Sequence, residues 1–461
     1  MICLTVDFGS TYTKLTAIDT INAQVLGTAS AFTTIETDVM DGFNVALSNL
    51  ESRMPNFKYD DLLCCSSAAG GLKMVALGLV PELTAKAAKM AASSAGAKVV
   101  RTYSYEISKA EQDDIYEIDP DLVLLCGGTD GGNKDVIIAN AKRICAIDRD
   151  FSVIVAGNKS ASYELDDVFK NSGKDYVITK NVMPSFNVLD IEPAKKCIKD
   201  LFIRKIIDAK GLSQVQTMTT HEIVPTPLAV LTGCELFSKG TKHTPGIGDF
   251  MAIDLGGATT DVYSMSKGVP SFNNAVIKGF AEPFSKRTVE GDLGMRYCLQ
   301  SLLEETDTES MAQEIGVEES EILDWVNRCK SDPDIIAPDG SKELLIEEAL
   351  ARRAIEVAVE RHCGVIEKVY TPMGEMVAIT GKDLSDIPYV VGIGGAIINS
   401  HNPEYILEGV KYTPKTLNRM KPKQPRYMLD KKYIFASMGL LSLIDAELAL
   451  KMMLKEIIII Q

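Results

Sequence analysis

The stretch Val6-Asp7-Phe8-Gly9-Ser10-Thr11-Tyr12-Thr13-Lys14 can be laid over Ile253-Asp254-Leu255-Gly256-Gly257-Ala258-Thr259-Thr260-Asp261. Each copy has an apolar residue, an aspartate, a second apolar residue and a glycine, then a threonine six places after the aspartate. Each reads as strand, tight turn, strand: Ile2–Asp7 and Lys14–Ala17 in the first, Met251–Asp254 and Thr260–Met265 in the second. One such turn is ordinarily a plain hairpin. Two matched turns, too far apart for a solenoid, predict two duplicated lobes.

The chemistry these turns favour is phosphate binding. Gly9, Ser10 and Thr11 in one turn, and Gly256, Gly257, Ala258 and Thr259 in the other, can aim several backbone N–H groups at one point, as in an anion nest. Lys14 adds a cation, and the paired glycines allow close backbone approach. Asp7 and Asp254, at the ends of buried strands, are suited to holding Mg²⁺ through water, because magnesium takes few carboxylates beside phosphate. A third stretch, Tyr389-Val390-Val391-Gly392-Ile393-Gly394-Gly395-Ala396, reads as a buried strand entering a glycine loop. Gly392, Gly394 and Gly395 would let a flat ring or a phosphate reach the backbone, although glycines after a strand also serve ordinary packing. No Gly-x-x-x-x-Gly-Lys-Ser/Thr sequence exists in the chain, so a P-loop is excluded.

Outward from these turns, Gln24–Ala29 extends the first hairpin. Leu62–Cys65, Leu122–Cys126, Val153–Ala156 and Tyr176–Thr179 read as buried strands. Helices near Pro81–Ala95, Lys134–Cys145 and Ser162–Asn171 separate them, an alternation that predicts parallel α/β structure. A long helix is expected from Glu192 to Ala209, stopping at Gly211, and another ending near Gly233. The acidic stretch from Leu302 to Glu367 reads as helical, and the chain closes in a long apolar helix from about Gly439 to Ile460. The expected division is a first lobe over 1–232, carrying an inserted α/β subdomain at about 70–182. A second lobe over 233–461 carries a helical subdomain at about 295–370 and a C-terminal helix able to return to the first lobe.

Composition narrows the function. The chain has 461 residues, 46% hydrophobic and 24% charged, which describes a soluble globular protein with several cores. Lys and Arg number 48 against 63 Asp and Glu, a net charge of −15 that argues against nucleic acid as the main partner. No two of the ten cysteines are spaced Cys-x-x-Cys and the four histidines are scattered, so zinc and dithiol chemistry are disfavoured. Reduced, mostly buried thiols fit a cytoplasmic protein. Leu122–Cys126 is too short to span a bilayer, and the N-terminus has no basic leader, so neither a membrane nor a secretory signal is expected.

In chain order, Asp7–Lys14, Asp254–Asp261 and Gly392–Ala396 resemble the phosphate-one, phosphate-two and adenosine motifs of the actin, sugar-kinase and DnaK-type chaperone superfamily. Pro225-Thr226-Pro227-Leu228-Ala229-Val230-Leu231 looks like its first connecting helix. The resemblance implies an α/β, two-lobe actin-like ATPase with duplicated ribonuclease-H-like domains and Mg²⁺ with ATP or ADP in the cleft. Asp7, Asp254 and Asp261 would face the metal or the attacking water, and Lys14 the phosphates. DnaK-type chaperones carry a glutamate directly before the connecting Pro-Thr, where this chain has Val224. Asp261, with Asp7, is then the catalytic candidate, and hydrolysis is expected to be slow or coupled to a partner. Glu222 could compensate, against its reading as a solvated loop carboxylate.

Gly70-Gly71-Leu72-Lys73, Gly127–Asn133 and Arg287-Thr288-Val289-Glu290-Gly291-Asp292-Leu293-Gly294-Met295-Arg296 resemble the glutamate mutase L family. Its members are associated with adenosylcobalamin-dependent carbon-skeleton mutases and aminomutases, and resemble ATP-dependent reactivating chaperones that release damaged cobalamin. The resemblance implies mutase subunits as partners. The chain has no Asp-x-His-x-x-Gly cobalamin motif and no contiguous Cys/His cluster, which suits a protein that services a radical enzyme without radical chemistry of its own. A small-molecule kinase and an actin-like scaffold are the rival readings.

Four features keep two readings each. Gly127–Asn133 is an anion loop or a βα loop capped by Asp130. Glu290 and Asp292 approach the nucleotide or form a polar loop above it. Arg352, Arg353 and Arg361 stack on adenine or pair with acidic helix residues. The final apolar helix is core or an anchor.

Overall fold

The computed structural model describes residues 1–34, 38–67, 73–208, 212–270, 275–371 and 374–460. Gly70–Leu72 of the family-like stretch, and Gly211 with its expected helix stop, lie outside the described residues. Two compact units emerge: Met1–Val230 with Gly279–Ala281, and Leu231–Lys278 with Glu282–Gln461.

The first unit opens with β1 (Ile2–Phe8), β2 (Tyr12–Asp19), β3 (Gln24–Phe32) and β4 (Asp61–Ser66). A parallel layer follows, with β5 (Lys73–Gly78), β6 (Lys98–Ser104), β7 (Leu122–Leu125), β8 (Ser152–Val155) and β9 (Tyr176–Ile178), and then β10 (Val224–Pro225). The main sheet runs β10-β4-β1-β2-β3, with β10, β4 and β1 parallel and β1, β2 and β3 antiparallel. The inserted sheet runs β6-β5-β7-β8-β9, all parallel, which is the 2-1-3-4-5 order of flavodoxin-like layers. Strand alternation gives it two faces. Val75, Leu77, Val123 and Leu125 pack beneath the helices Asp135–Cys145 and Ser162–Lys170. Met74, Ala76, Leu122 and Leu124 join Leu4, Val6 and Phe8 of the main sheet in one core, filled between by alanines of the helix Lys86–Ser94. The inserted layer thus shares its core with the main sheet.

The second unit contains β11 (Phe250–Leu255), β12 (Thr260–Met265), β13 (Ala275–Ile277), β14 (Ser285–Glu290), β15 (Val365–Thr371), β16 (Gly374–Thr380), β17 (Tyr389–Ile393), β18 (Arg426–Leu429) and β19 (Ile458–Ile459). Its large sheet runs β14-β12-β11-β17-β18-β19, with β11, β17 and β18 parallel and β11, β12 and β14 antiparallel. From β14 to β18 this repeats the first unit's order from β3 to β10, strand for strand and sense for sense. That order, three antiparallel strands then two parallel ones, is the ribonuclease-H-like topology, present twice as in the actin-like ATPase fold. The helix Lys342–His362 shares one core with this sheet and with the shorter helices Thr308–Ile315 and Glu319–Ser331, Trp325 buried within it, and its last residue His362 bonds to Ser264 of β12 and Thr288 of β14.

Three local expectations are corrected. The helix expected to end near Gly233 runs Thr226–Lys239, because Gly233 lies where another helix passes: a Cβ there would stand 2.6 Å from the Phe435 carbonyl oxygen. The long final helix is two, Phe435–Leu441 and Ala446–Glu456, followed by β19. Asp445 starts the second by accepting from the Leu448 N–H at 2.9 Å, an N-cap inside an otherwise apolar run. The helical stretch that was to reach Glu367 stops at His362, and β15 begins at Val365. No helix among the described residues is long and apolar enough to cross a membrane.

Candidate functional site: two aspartate-headed hairpins

Each repeated stretch is a β-hairpin with the same register. Asp7 stands directly opposite Lys14, and Asp254 directly opposite Asp261. Each turn closes on its glycine: Gly9 N–H donates to the Tyr12 carbonyl at 3.1 Å, and Gly256 N–H to the Thr259 carbonyl at 2.9 Å. The threonines shared by the repeat, Thr13 and Thr260, are fully buried opposite Phe8 and Leu255, so they serve the cores. Ser10 is exposed at the tip of the first turn, with Thr11 half-buried beside it.

The two aspartates are held alike. Asp7, 8% exposed, accepts from the Thr226 hydroxyl at 2.5 Å and from the Cys65 thiol at 3.5 Å, both on Oδ1. Burial, reinforced by Asp7, pushes the Cys65 thiol well above its ordinary value and keeps it a donor. Asp254 accepts from the Tyr433 hydroxyl at 3.0 Å. Thr226 follows β10 and begins a helix. Tyr433 follows β18, two residues before the helix Phe435–Leu441, whose first N–H groups Asp430 caps. In both units the segment after the second parallel neighbour of the central strand thus sends one hydroxyl back to the aspartate.

The second turn rests on a shelf. Gly256 O accepts from Met295 N–H at 3.0 Å, and Gly257 O accepts from Arg296 and Tyr297 N–H at 2.8 and 3.0 Å. In a trans peptide the following N–H points opposite the carbonyl, so the amides of Gly257 and Ala258 aim away from the shelf, side by side. That is the donor pair an anion nest needs. Gly294 is required there, because a Cβ would sit 2.4 Å from the Ala258 carbonyl carbon. The third glycine stretch joins this turn: Gly392 stands beside Ile253 in the parallel ladder, and Gly394, at φ +100°, runs so near β11 that a Cβ would lie 2.2 Å from Leu255 O. Gly392 is likewise closely packed by Ile397 and Leu429, whereas Gly395 opens a short helix with room around it.

Asp261 is held differently from its register partner. Arg287 donates Nε and Nη2 to its Oδ1 at 2.7 and 2.6 Å, and Thr259 donates to Oδ2 at 3.1 Å. Glu290 and Asp292 both accept from Arg361 at 2.9 Å, and Glu305 accepts from the same guanidinium. Arg352 pairs with Glu314 and lies over the Tyr405 ring, and Arg353 pairs with Glu356. The three arginines are thus held in ion pairs. Glu222 is exposed and paired with Lys199 at 3.1 Å. In the Gly127–Asn133 loop, Asp130 N–H donates to Pro184 O, Gly131 N–H to the Asn158 side chain and Gly132 N–H to Thr129 O. These amides are taken up within the protein, but Asp130 does not cap the helix Asp135–Cys145: its carboxylate accepts from the Lys159 N–H and the Asn181 side chain, both at 3.0 Å, while Asn133 accepts from the Val136 N–H at 3.2 Å.

Sequence reasoning missed Tyr433 and Cys65 as aspartate partners. Thr226 was seen only as part of a connecting segment, and Arg287 only within a signature. A hydroxyl at or just before a helix start, one residue after Pro225 and three after Asp430, is the one local sign that was available.

Two ribonuclease-H-like sheets, each with an aspartate-headed hairpin, and a glycine loop beside the second define an actin-like ATPase fold. A profile described as MutL protein matches residues 3–457. Protein MutL of Clostridium tetanomorphum is 44% identical over 443 residues, covering 95% of each chain. The chain belongs to the MutL protein family, the glutamate mutase L family that its motifs resemble. Among solved structures, the chain is similar to an activator of 2-hydroxyisocaproyl-CoA dehydratase from Clostridium difficile with bound ADPNP. That match has 10% identity, covers 99% of this chain and 98% of that one, and has a TM-score of 0.29. A ligand-bound xylulose kinase from Lactobacillus acidophilus, also 10% identical, covers 100% and 93% with a TM-score of 0.32.

Proposed function

We propose that the chain is an ATP-dependent reactivating factor for an adenosylcobalamin-dependent mutase, glutamate mutase or a related aminomutase, and that it cleaves ATP slowly. The observation that carries this is the duplicated aspartate hairpin within a MutL-family chain. The amides of Gly257 and Ala258, the first turn's Gly9, Ser10 and Thr11, and Lys14 opposite Asp7 bind the phosphates. Gly392, Gly394 and Gly395 take the adenosine end. Asp7 and Asp254 fit Mg²⁺, since they are hard carboxylate donors with hydroxyl neighbours, and burial keeps the Cys65 thiol beside Asp7 protonated and so a poor ligand; the ion would offset phosphate charge. Asp261 and Asp7 orient the attacking water. Nucleotide state then changes affinity for the mutase, and that difference drives release of damaged cobalamin.

Calorimetric titration with Mg-ATP tests the nucleotide part. Asp7→Ala and Asp254→Ala should each weaken Mg²⁺-dependent binding at least about tenfold while the protein remains folded. Wild-type affinity in both would remove the paired-hairpin reading.

A further inference from the structure

We propose that Arg287 is a positioning residue of the nucleotide site, acting through Asp261; this rests on the function proposed above. Arg287 lies on β14 opposite Tyr263, one diagonal step from Asp261 on the strand between. It is 5% exposed, and both its Nε and Nη2 converge on a single carboxylate oxygen, Oδ1. Oδ2 receives the hydroxyl of Thr259, a residue of the phosphate-binding turn. The guanidinium therefore sets the rotamer of Asp261, and Asp261 in turn links β14 to that turn.

The charge arrangement supports the same role. Asp254 and Asp261 face each other across β11 and β12, at a spacing where two carboxylates repel and would also repel a phosphate. Arg287 offsets one of the two charges from behind. Burial opposes the charge of Arg287, but Asp261 and Tyr263 more than offset it and raise the guanidinium above its ordinary value. A buried ion pair is weak support for a purely stabilising role, since well-packed apolar residues often serve as well. The same segment supplies the shelf: eight to ten residues after Arg287, Met295, Arg296 and Tyr297 donate to the turn carbonyls. One stretch thus fixes both the turn and the carboxylate beside it.

The test compares the full-length wild type with Arg287→Met, Asp261→Asn and the double variant. It measures Mg-ATP affinity by calorimetry, cleavage in a single turnover, and thermal unfolding. Arg287→Met should slow cleavage at least about tenfold with ATP affinity changed less than about threefold, and the double variant should be no slower than Asp261→Asn alone. Additive losses, or a lowered melting temperature with unchanged cleavage per folded molecule, would overturn the proposal. Should Arg287→Met fail to fold, Arg287→Lys keeps the charge but not the two-pronged geometry. It should cleave at an intermediate rate while melting close to wild type, and wild-type cleavage there would overturn the proposal equally. Wild-type protein that binds no Mg-ATP removes the proposed function and this inference together; a normal wild type with an unaffected Arg287→Met removes the inference alone.

Discussion

Lys382 sits buried behind β12, its amine donating to the Phe284 carbonyl at 2.6 Å and the Ser264 carbonyl at 3.3 Å. Burial, aided by the charge of Lys286 and opposed by Glu282 and Asp249, pulls its pKa down to about 7. In the unfolded chain the same amine titrates near the ordinary lysine value. Between those two values the unfolded state holds more protons, so stability rises with pH, by up to about 1.4 kcal/mol per unit from this group. The gain is complete above the ordinary lysine value and is lost as pH falls to about 7. Urea unfolding at pH 7 and pH 9 should show that rise in the wild type and a smaller one in Lys382→Met; equal slopes would contradict it. At this scale the sequence was legible where spacing forces register. The eight residues from Asp7 to Lys14, spanning one tight turn, leave little choice but to set the two ends opposite each other, and the same holds for Asp254 and Asp261. Tyr433 could not be found in this way, because its partner is 179 residues distant. Arg287 was equally hidden, since strand pairing between β12 and β14 has no local signature.

Among elements, the helix Thr226–Lys239 shows where propensity and packing disagree. Glycine inside a helix costs about 1 kcal/mol relative to alanine, so Gly233→Ala should stabilise if the helix stood alone. Here the added Cβ meets Phe435 O at 2.6 Å and lies 3.4 Å from Gly439 N, backbone atoms that cannot swing aside. The substitution should destabilise by about 1–3 kcal/mol, the usual range for overpacking. Denaturant unfolding decides the sign, and a gain in stability would refute the close crossing. The same contact explains why Gly233 looked like a helix end: a glycine needed for tertiary approach reads locally as a stop. The split final helix is the reverse case. Asp445 was a visible N-cap, but the apolar residues on both sides concealed it. The strands β5 and β6 were not anticipated, and neither was the small antiparallel and parallel sheet of β13, β16 and β15; Ala275–Ile277 is too short to carry a pattern, and the start of β15 was read as the end of the helical stretch.

At the scale of the molecule, the two large sheets share one strand order; the duplicated hairpins pointed to two lobes, and the superfamily resemblance to their common topology. The inserted layer was foreseen as α/β, but its sharing of a core with the main sheet was not. Leu4, Val6 and Phe8 pack in the same cluster as Met74, Ala76, Leu122 and Leu124. A chain lacking Lys73–Ile178 should therefore aggregate or unfold in its first unit, as followed by circular dichroism and size exclusion; a folded monomer would show the layer to be separable. The proposed function is nucleotide-driven service to a mutase. The most direct measurement takes a client mutase inactivated by a tightly held, damaged corrinoid and adds this protein, Mg²⁺, fresh adenosylcobalamin and either ATP or ADP. Mutase activity should recover with ATP and not with ADP, and equal recovery with ADP, or without the protein, would contradict the proposed function.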